Sequence, residues 1–395
     1  MRGFDLLIVG AGAAGLSLAR AAAGIVLPGV GTPRIALVEP PAGGPRSPDR
    51  TWCFWERGAG PWDAVLAARW DTVSVVSPSG AGHEQAIGPQ SYKMLRSRDF
   101  DEYVRAGLGP NVHQYAATVT AIDDGADHAT VHAEGADGSP VSLTARRVFD
   151  SRPPTALPAA RTTLLQHFRG WFLHTAHDAF DPATALLMDL RTPQPRNGVS
   201  FGYVLPLSSR EALVEYTEFT RRVLDDEGYD QALHRYTQDV LGLERFTVAA
   251  SEQGVIPMTD GRLPTRAGRC VFRLGAAGGA TRPSTGYTFS GIQRQVASVV
   301  RDLERGRPPT PPIPHKRRHL AMDSVLLRAL DSGRLDGAAF FARLFARNDM
   351  RDVLDFLDGR AVLGRELLVA ATAPVAPMSV TALECVFRPS PPSIL

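Results

Sequence analysis

The stretch "FDLLIVGAGAAGLSLARAAAG", residues 4–24, decides the fold of this 395-residue chain. A run of apolar residues leads directly into glycines at positions 10, 12 and 15, and an alanine-rich segment follows them. This order predicts a buried strand, a tight turn and a helix. Glycine at the three positions permits the turn, the close approach of a pyrophosphate and the packing of the helix on the strand. Because N–H groups at a helix N-terminus bind phosphates, the stretch predicts a dinucleotide-binding site.

The next predicted strand, "RIALVEP", supplies an acid at the position where such sites bind ribose. Glu39 ends this strand, 24 residues after Gly15. The usual separation is about 20 residues, and the loop "LPGVGTP" accounts for the excess. Glu39 is therefore the predicted ligand of a ribose hydroxyl. A glycine turn alone can be purely structural, but strand, turn, helix and acid together favour the dinucleotide.

A second glycine-rich segment, "RLGAAGGATRPSTGY", occupies residues 273–287 and precedes a predicted helix. One N-terminal fingerprint followed much later by a second glycine motif favours FAD over NAD. Ala276 stands where many flavoproteins carry an aspartate, but the backbone amides that follow it could still contact a flavin. The alternative is a glycine-rich helix entry with no ligand. The predicted FAD contacts are Gly10, Gly12, Ala13, Ala14, Gly15, Glu39, Arg98, Gly275, Gly278, Gly279, Pro283, Thr285 and Gly286.

The middle of the chain alternates between apolar and polar residues at short spacing. Four such segments, between residues 167 and 220, predict an antiparallel sheet. The predicted fold is α/β (α+β): a Rossmann-type FAD-binding domain, an inserted antiparallel-sheet substrate domain and a helical C-terminal part. We expect the FAD-binding domain to comprise 1–75, 92–160 and 255–305, the substrate domain 76–91 and 161–254, and the helical part 306–395.

Composition limits the classes of function. The chain is 44% hydrophobic and 21% charged, as in ordinary globular proteins, and its net charge of +2 gives no reason to expect a nucleic-acid partner. Neither the three cysteines nor the ten histidines have metal-ligand spacing, so we predict no metal and a reduced, cytosolic setting. No run reaches the roughly 18–20 apolar residues needed to span a bilayer. We expect a soluble protein, or one that lies on a membrane without crossing it.

The segment "ALVEYTEFT", residues 212–220, places acids inside a predicted strand. Glu215 and Glu218 point to opposite faces, and each face also carries apolar residues. Alternation therefore does not distinguish them. Glu215 is either an ordinary strand acid or a carboxyl in an apolar pocket, where a raised pKa would let it give and take a proton.

Two other apolar segments each allow two interpretations. "DRTWCFWERGAGPWD", residues 49–63, holds three of the five tryptophans, which either pack in the core or line an elongated pocket. "FFARLFARNDMRDVLDFLDG", residues 340–359, carries an apolar stripe flanked by arginines. This segment is either a bundle helix packed on the domain or a helix lying on a membrane surface. The stripe consists of Phe340, Phe341, Leu344 and Phe345.

Several of these motifs together resemble the flavin-dependent lycopene cyclases, specifically the bacterial β-cyclase type. The resemblance extends from about residue 4 to residue 370, in the family's order, and "PSTGYTF" and "QGVIPMTD" are far more specific than the glycine turn. The motifs are "DLLIVGAGAAGL", "DRTWCFW", "VFDSRP", "LLQHFRGW", "MDLR", "YVLPLSSREALVEYTEFT", "EQGVIPMTD" and "AGGATRPSTGYTFSGIQRQ".

This resemblance implies a fold like p-hydroxybenzoate hydroxylase and geranylgeranyl reductase, with the helical C-terminal part facing a membrane. It implies an isomerase that closes the linear ends of lycopene into β-rings beside reduced FAD. NAD(P)H would serve only to reduce the flavin, and the enzyme would be cytoplasmic and peripherally membrane-associated. In the family the acid of the "LVEYT" motif is essential, and here it is Glu215. Tyr216 replaces the second acid that some members carry, so that second acid's role does not transfer.

A cation formed during cyclisation needs electron-rich walls, and Trp52, Trp55 and Tyr287 are the predicted pocket residues. The principal alternative is an FAD-dependent monooxygenase or prenyl reductase that acts on a hydrophobic isoprenoid. A third possibility is a membrane-surface flavoprotein that binds carotenoid without converting it. Such a protein would be expected to lack an acid at position 215, where this chain has one.

Overall fold

The computed structural model describes residues 3–42 and 49–387. The strands are β1 (Phe4–Val9), β2 (Ile35–Glu39), β3 (Thr51–Arg57), β4 (Leu66–Trp70), β5 (Thr72–Val76), β6 (Gly82–Ala86), β7 (Gln90–Arg96), β8 (Val112–Asp124), β9 (Ala129–Gly135), β10 (Pro140–Asp150), β11 (Thr163–Thr175), β12 (Thr184–Asp189), β13 (Val199–Pro206), β14 (Glu211–Thr220), β15 (Phe246–Thr259) and β16 (Val271–Arg273). The α-helices are α1 (Ala13–Ala23), α2 (Ser97–Ala106), α3 (Asp226–Arg235), α4 (Phe289–Glu304), α5 (Arg317–Asp331), α6 (Gly337–Arg347), α7 (Met350–Leu357), α8 (Leu363–Ala370) and α9 (Val375–Phe387).

The first sheet forms the predicted nucleotide-binding layer. Strands β8, β2, β1, β10 and β16 run parallel in that order, and β9 pairs antiparallel with both β8 and β10. Nearly every residue of β1 and β2 is buried, as expected for parallel strands covered on both faces. The carboxyl ends of β1, β2, β10 and β16 meet at one edge, and both glycine-rich motifs follow strands there. This edge is where open parallel sheets bind ligands.

The second sheet has seven strands in the order β15-β11-β14-β13-β12-β5-β6. Its pairs are antiparallel except for β5 with β12. The predicted antiparallel block is confirmed, and β3, β7 and β4 form a smaller third sheet from the segment between β2 and β8. Two predicted domain boundaries fall inside strands of the seven-stranded sheet rather than between elements. Strands β5 and β15 contain the boundaries at 75/76 and 254/255, yet each pairs along most of its length within the seven-stranded sheet.

The apolar stripe near residue 341 is packed inside the protein. Phe341, Leu344 and Phe345 are buried in a core cluster shared with the seven-stranded sheet. The rings of Phe341 and Phe219 pack edge to face with their centroids 6.5 Å apart. The bundle interpretation is therefore confirmed for this stripe, and the membrane-surface alternative is wrong for it. The predicted single helix is two helices, because the carboxylate of Asp349 accepts the N–H of Arg351 and begins α7. Of the predicted helical part, residues 388–395 lie outside the described residues.

Candidate active site

In the first glycine turn, Gly10 and Gly15 are packed tightly against protein atoms, whereas Gly12 borders open space. Gly10 has φ +93°, and a Cβ there would lie 2.7 Å from the Ser151 hydroxyl. A Cβ on Gly15 would lie 1.9 Å from the carbonyl oxygen of Gly10, so α1 packs on the turn only with glycine at this position. A Cβ on Gly12 would meet no atom within 4 Å. The turn thus has the shape and the free helix N-terminus that a pyrophosphate requires.

The second glycine motif lies against the first. Gly275 has φ +71°, and a Cβ there would come within 2.8 Å of the Ala14 side chain at the start of α1. Gln295 on α4 holds the motif in place, since its side chain accepts the Gly275 N–H at 2.9 Å and donates to the Gly278 carbonyl at 2.7 Å. Two backbone turns, from opposite ends of the chain, therefore meet at one edge of the parallel sheet. This arrangement fits an extended dinucleotide such as FAD.

Among the remaining predicted cofactor residues, Glu39, Thr285 and Gly286 lie at the sheet edge or the adjacent cavity, whereas Arg98 lies on the surface of α2. Glu39 is at the carboxyl end of β2, where it accepts a hydrogen bond from the Arg105 guanidinium. Thr285 and Gly286 line a large cavity next to the second glycine motif, so this loop connects the cofactor edge to that cavity. Arg98 is exposed on α2 and its ion pair is with Glu102, at 3.7 Å. The predicted contact of Arg98 with the cofactor therefore stays a prediction.

The cavity lies between the seven-stranded sheet, β3, the loop after the second glycine motif and α6. It encloses about 1170 Å³, counting its mouth. Its walls are mainly apolar and aromatic, and the polar groups among them are few. The aromatic walls are Trp52, Phe168, Phe201, Tyr203, Phe219, Tyr287, Phe289, Phe341 and Phe345.

Glu215 stands in this wall as a buried carboxyl. Its side chain is only 8% exposed, and burial raises the pKa from the ordinary 4.5 to about 8. That value includes a smaller rise from the negative charge of Glu252 and the opposing effect of a 2.7 Å hydrogen bond from the Thr217 hydroxyl on the pKa. The structure resolves the ambiguity of the strand. Glu215 faces the cavity, whereas Glu218 faces the other side and accepts a hydrogen bond from the Tyr216 hydroxyl at 2.8 Å.

A second acid of the cavity, Glu252, was not singled out from the sequence. Strand register places Glu252 on β15 opposite Gly170 on β11, and Gly170 opposite Glu215 on β14. Tyr203 on β13 continues the same row. The "EQG" at the start of the motif "EQGVIPMTD" was the available signal for this acid in the sequence. Three polar side chains therefore reach the cavity from one line across the sheet.

Of the three predicted aromatic pocket residues, two line the cavity and one lies behind its wall. Trp52 and Tyr287 line the cavity, but Trp55 does not. The rings of Trp55 and Tyr287 meet edge to face with centroids 4.6 Å apart, and the Trp55 indole N–H donates to the Leu354 carbonyl at 3.0 Å. The prediction that Trp55 is a pocket wall is therefore corrected. Because side chains alternate along a strand, Trp52 and Trp55 face opposite ways.

A second cavity adjoins the first. It encloses about 1620 Å³, counting its mouth, and shares five wall residues with the first cavity. The rest of its wall comes mainly from α5, α8 and α9 and is again mostly apolar. The shared residues are Ser284, Thr285, Phe341, Leu344 and Leu357.

Helices α8 and α9 expose apolar side chains next to this second cavity. In the described ranges no individual helix is both long and apolar enough to cross a membrane, although α8 and α9, bent by 113°, meet those criteria as a pair. Val375 and Val386 belong both to the cavity wall and to the exposed surface. The exposed apolar residues, which we call the α8–α9 surface, are Val362, Leu363, Leu367, Leu368, Val375, Val380, Leu383, Val386 and Phe387.

Two features bear on what the region around the cavity could bind. Over residues 3–42 and 49–387, no group of three or more histidine, cysteine or acidic side chains is arranged to hold a metal ion. The buried Gln166 side-chain oxygen has no hydrogen-bond partner in the structure, although it borders the cavity next to Gly286. It is a polar acceptor available to a bound group.

Fold and site together define a protein with the architecture of the FAD-dependent monooxygenases and geranylgeranyl reductases. A geranylgeranyl bacteriochlorophyll reductase-like protein from Thermoplasma acidophilum aligns with a TM-score of 0.63 and 14% identity, over 98% of this chain and all of that one. The p-nitrophenol 4-monooxygenase of Pseudomonas putida DLL-E4 gives 0.59 and 14%, over 98% of each chain. A flavoprotein/dehydrogenase from Cytophaga hutchinsonii gives 0.62 and 11%, over 97% of this chain and 100% of that one.

The sequence also identifies a protein family, which is a more specific class than the fold. Residues 5–383 match the model of the lycopene cyclase protein family, and the chain belongs to that family. The predicted resemblance and the predicted fold class are both confirmed. No curated protein matches the sequence.

Proposed function

We propose that this protein is a lycopene β-cyclase, which closes linear ends of lycopene into β-rings without net oxidation or reduction. One observation carries the proposal: Glu215, an acid with a pKa raised to about 8, is buried in the wall of an apolar cavity. At neutral pH such a carboxyl is protonated, so it holds the proton that the alkene must receive, whereas an ordinary surface acid would already have lost it.

The proposed reaction begins with proton transfer from Glu215 to the terminal double bond of the end group. The tertiary cation that forms is attacked by the neighbouring double bond, which closes a six-membered ring and moves the positive charge to a ring carbon. Loss of a proton from the adjacent ring carbon leaves the β-ring. One proton enters and one leaves, so the product is an isomer of lycopene.

The cavity suits a cationic intermediate. Its apolar walls exclude water that would trap the cation, and the faces of Trp52, Tyr203 and Tyr287 offer electron density. The hydroxyl of Tyr92, behind the wall, shares hydrogen bonds with those of Tyr203 at 2.6 Å and Tyr287 at 3.1 Å. This network fixes the orientation of both rings.

We further propose that the glycine turns bind FAD in its reduced form, with NAD(P)H as the source of electrons. The residues that would hold it are those of the two turns, with the open face of Gly12 toward the pyrophosphate. Reduced FAD, when bound, would supply negative charge near the cation. The electrons would not be consumed, because substrate and product have the same oxidation state.

The two joined cavities support a long hydrophobic substrate. The reacting end would lie in the cavity with Glu215, and the remaining polyene would extend into the second cavity between α5 and α9. We propose that the α8–α9 surface lies on the cytoplasmic face of a membrane and takes lycopene from it. Val375 and Val386 support this route, since they link the surface to the cavity.

An FAD-dependent monooxygenase or prenyl reductase is the second candidate, because structures carrying such descriptions share the fold over 98% of this chain. Expression in lycopene-producing bacteria, followed by chromatography and mass spectrometry of the pigment, separates the two. The cyclase proposal predicts a ring-containing product with the mass of lycopene. A product of different mass, or NADPH oxidised in proportion to product, would contradict it.

A further inference from the structure

The two acids of the cavity are held on one line across the seven-stranded sheet. Glu252 and Glu215 each pair in register with Gly170, which lies on the strand between theirs. Adjacent strands are about 4.8 Å apart, so the two backbones are separated by roughly 10 Å. Both side chains border the same cavity. A separation of this size leaves room for a six-membered ring between two carboxyl groups.

Glycine at position 170 is part of this arrangement. A Cβ there would lie 2.8 Å from a methyl group of Leu213 and 3.5 Å from the Cβ of Glu215. The 2.8 Å distance would require the Leu213 side chain to shift, whereas 3.5 Å is an ordinary contact distance. Because residues in register share one face of the sheet, glycine at position 170 leaves the space between the two acids open.

The two carboxyl groups have different surroundings. Glu215 is buried, with the Thr217 hydroxyl as its hydrogen-bond donor. Glu252 is half-buried on the edge strand β15 and accepts a 2.7 Å hydrogen bond from the Thr51 hydroxyl. Burial raises the pKa of Glu252 too, but Thr51 and the positive charges of Arg96 and Arg50 oppose the rise.

Two acids in one cavity whose environments differ divide the roles of acid and base between them. Glu215 is the more buried of the two and its pKa is raised to about 8, which suits a proton donor. Glu252 has the Thr51 hydroxyl and the positive charges of Arg96 and Arg50 near it, which favour its charged form and suit a proton acceptor.

We propose that Glu252 is the general base of the reaction, and that it removes the proton from the ring after Glu215 has delivered one. This inference rests on the proposed cyclase function. Glu215 loses its O–H proton to the alkene carbon. The electrons of the ring C–H bond form the new double bond while that proton bonds to a Glu252 oxygen. After product leaves, Glu252 releases its proton and Glu215 takes one up, so both carboxyl groups return to their starting states.

The test compares Glu252→Gln and Glu252→Asp with wild type, using lycopene in liposomes and the holoenzyme reduced with dithionite. Ser251→Ala is the matched control, since Ser251 is the exposed neighbour on the same strand and faces the other side. Two measurements are made for each variant. One is the turnover rate with ordinary lycopene, and the other is the isotope effect with lycopene deuterated at the carbon that loses its proton. Flavin absorbance and thermal midpoints establish that each variant is folded and loaded.

The Glu252 assignment predicts that Glu252→Gln lowers turnover by about 100-fold or more. Deprotonation becomes rate-limiting, so the isotope effect rises above the wild-type value, and products that lost a proton from another carbon appear. Glu252→Asp, which keeps the carboxylate, restores part of the rate, and Ser251→Ala behaves as wild type. If Glu252→Gln does not fold, the isotope effect of Glu252→Asp decides, since a displaced base also slows deprotonation.

An unchanged isotope effect and product pattern in Glu252→Gln, or in Glu252→Asp where that variant decides, would overturn the assignment even if the rate falls. That result would leave the cyclase function intact. Failure of the wild-type holoenzyme to form any cyclic isomer would instead overturn the proposed function itself. The two failures are therefore distinguishable in one series of assays.

Discussion

Glu215 and Glu252 face the same cavity from strands that are not neighbours, each in register with Gly170 between them. The sheet thus places on one row two acids that the sequence keeps apart, and glycine leaves the space between them open. One is buried and neutral, and the other lies at the edge with polar partners. This relationship underlies the proposed chemistry.

The rate of cyclisation should depend on pH through Glu215. Its pKa is raised to about 8, so the carboxyl is protonated below that pH and loses its proton above it. We expect the rate to be level near neutrality and to fall about tenfold per pH unit well above pH 8. Rates at a fixed lycopene density in liposomes, with the flavin reduced chemically, test this. A rate that stays constant to pH 10 while the enzyme remains folded and loaded would exclude Glu215 as the acid.

The raised pKa of Glu215 should also make the fold less stable as pH rises. Glu215 binds its proton more tightly in the folded state, with a pKa of about 8 against 4.5 ordinarily, so the folded state holds the extra proton between these values. The free energy of unfolding therefore decreases between about pH 4.5 and pH 8, by roughly 1.4 kcal/mol for each pH unit. We expect Glu215→Gln to have a higher thermal midpoint than wild type above pH 8. Equal midpoints there would show that the carboxyl is not buried as described.

The open face of Gly12 gives a direct test of cofactor binding. A methyl group at Gly12 meets no protein atom within 4 Å, so Gly12→Ala should fold normally but hinder the approach of a pyrophosphate. We expect FAD affinity to fall by about tenfold or more, equivalent to about 1.4 kcal/mol. Gly24→Ala at the end of α1 is the matched control, because its Cβ also meets open space. Equal FAD affinity in the two variants would contradict the proposed position of the cofactor.

Membrane attachment should depend on the α8–α9 surface. Leu367 and Leu368 are each 61% exposed, so replacing both with glutamate should leave the fold unchanged while making this surface polar. We expect sedimentation with lipid vesicles to decrease sharply, with FAD binding retained. Val26→Glu is the control, since Val26 is 67% exposed but lies between α1 and β2, far along the chain from α8 and α9. Undiminished vesicle binding by the double variant would locate the attachment elsewhere.

The sequence predicted local features well, because the strand–turn–helix around Gly10 depends on residues close together in the chain. Alternation along β14 did not predict which of its faces meets the cavity, and only the family resemblance favoured the face with Glu215. Both faces carry apolar residues, and the choice depends on α6 and the loop after the second glycine motif, which pack from far along the chain. Glu252 was missed for a similar reason, since its strand exposes most of its other side chains. Trp55 was misplaced because aromatic density does not specify which layer a ring occupies.

The central claim is tested most directly by the Glu215→Gln holoenzyme, assayed with chemically reduced FAD and lycopene in liposomes. Glu218→Gln is the matched control, because this acid lies on the same strand and faces away from the cavity. We predict that wild type and Glu218→Gln form a cyclic product with the mass of lycopene, whereas Glu215→Gln binds FAD and forms none. Cyclisation by Glu215→Gln at near the wild-type rate would contradict the account.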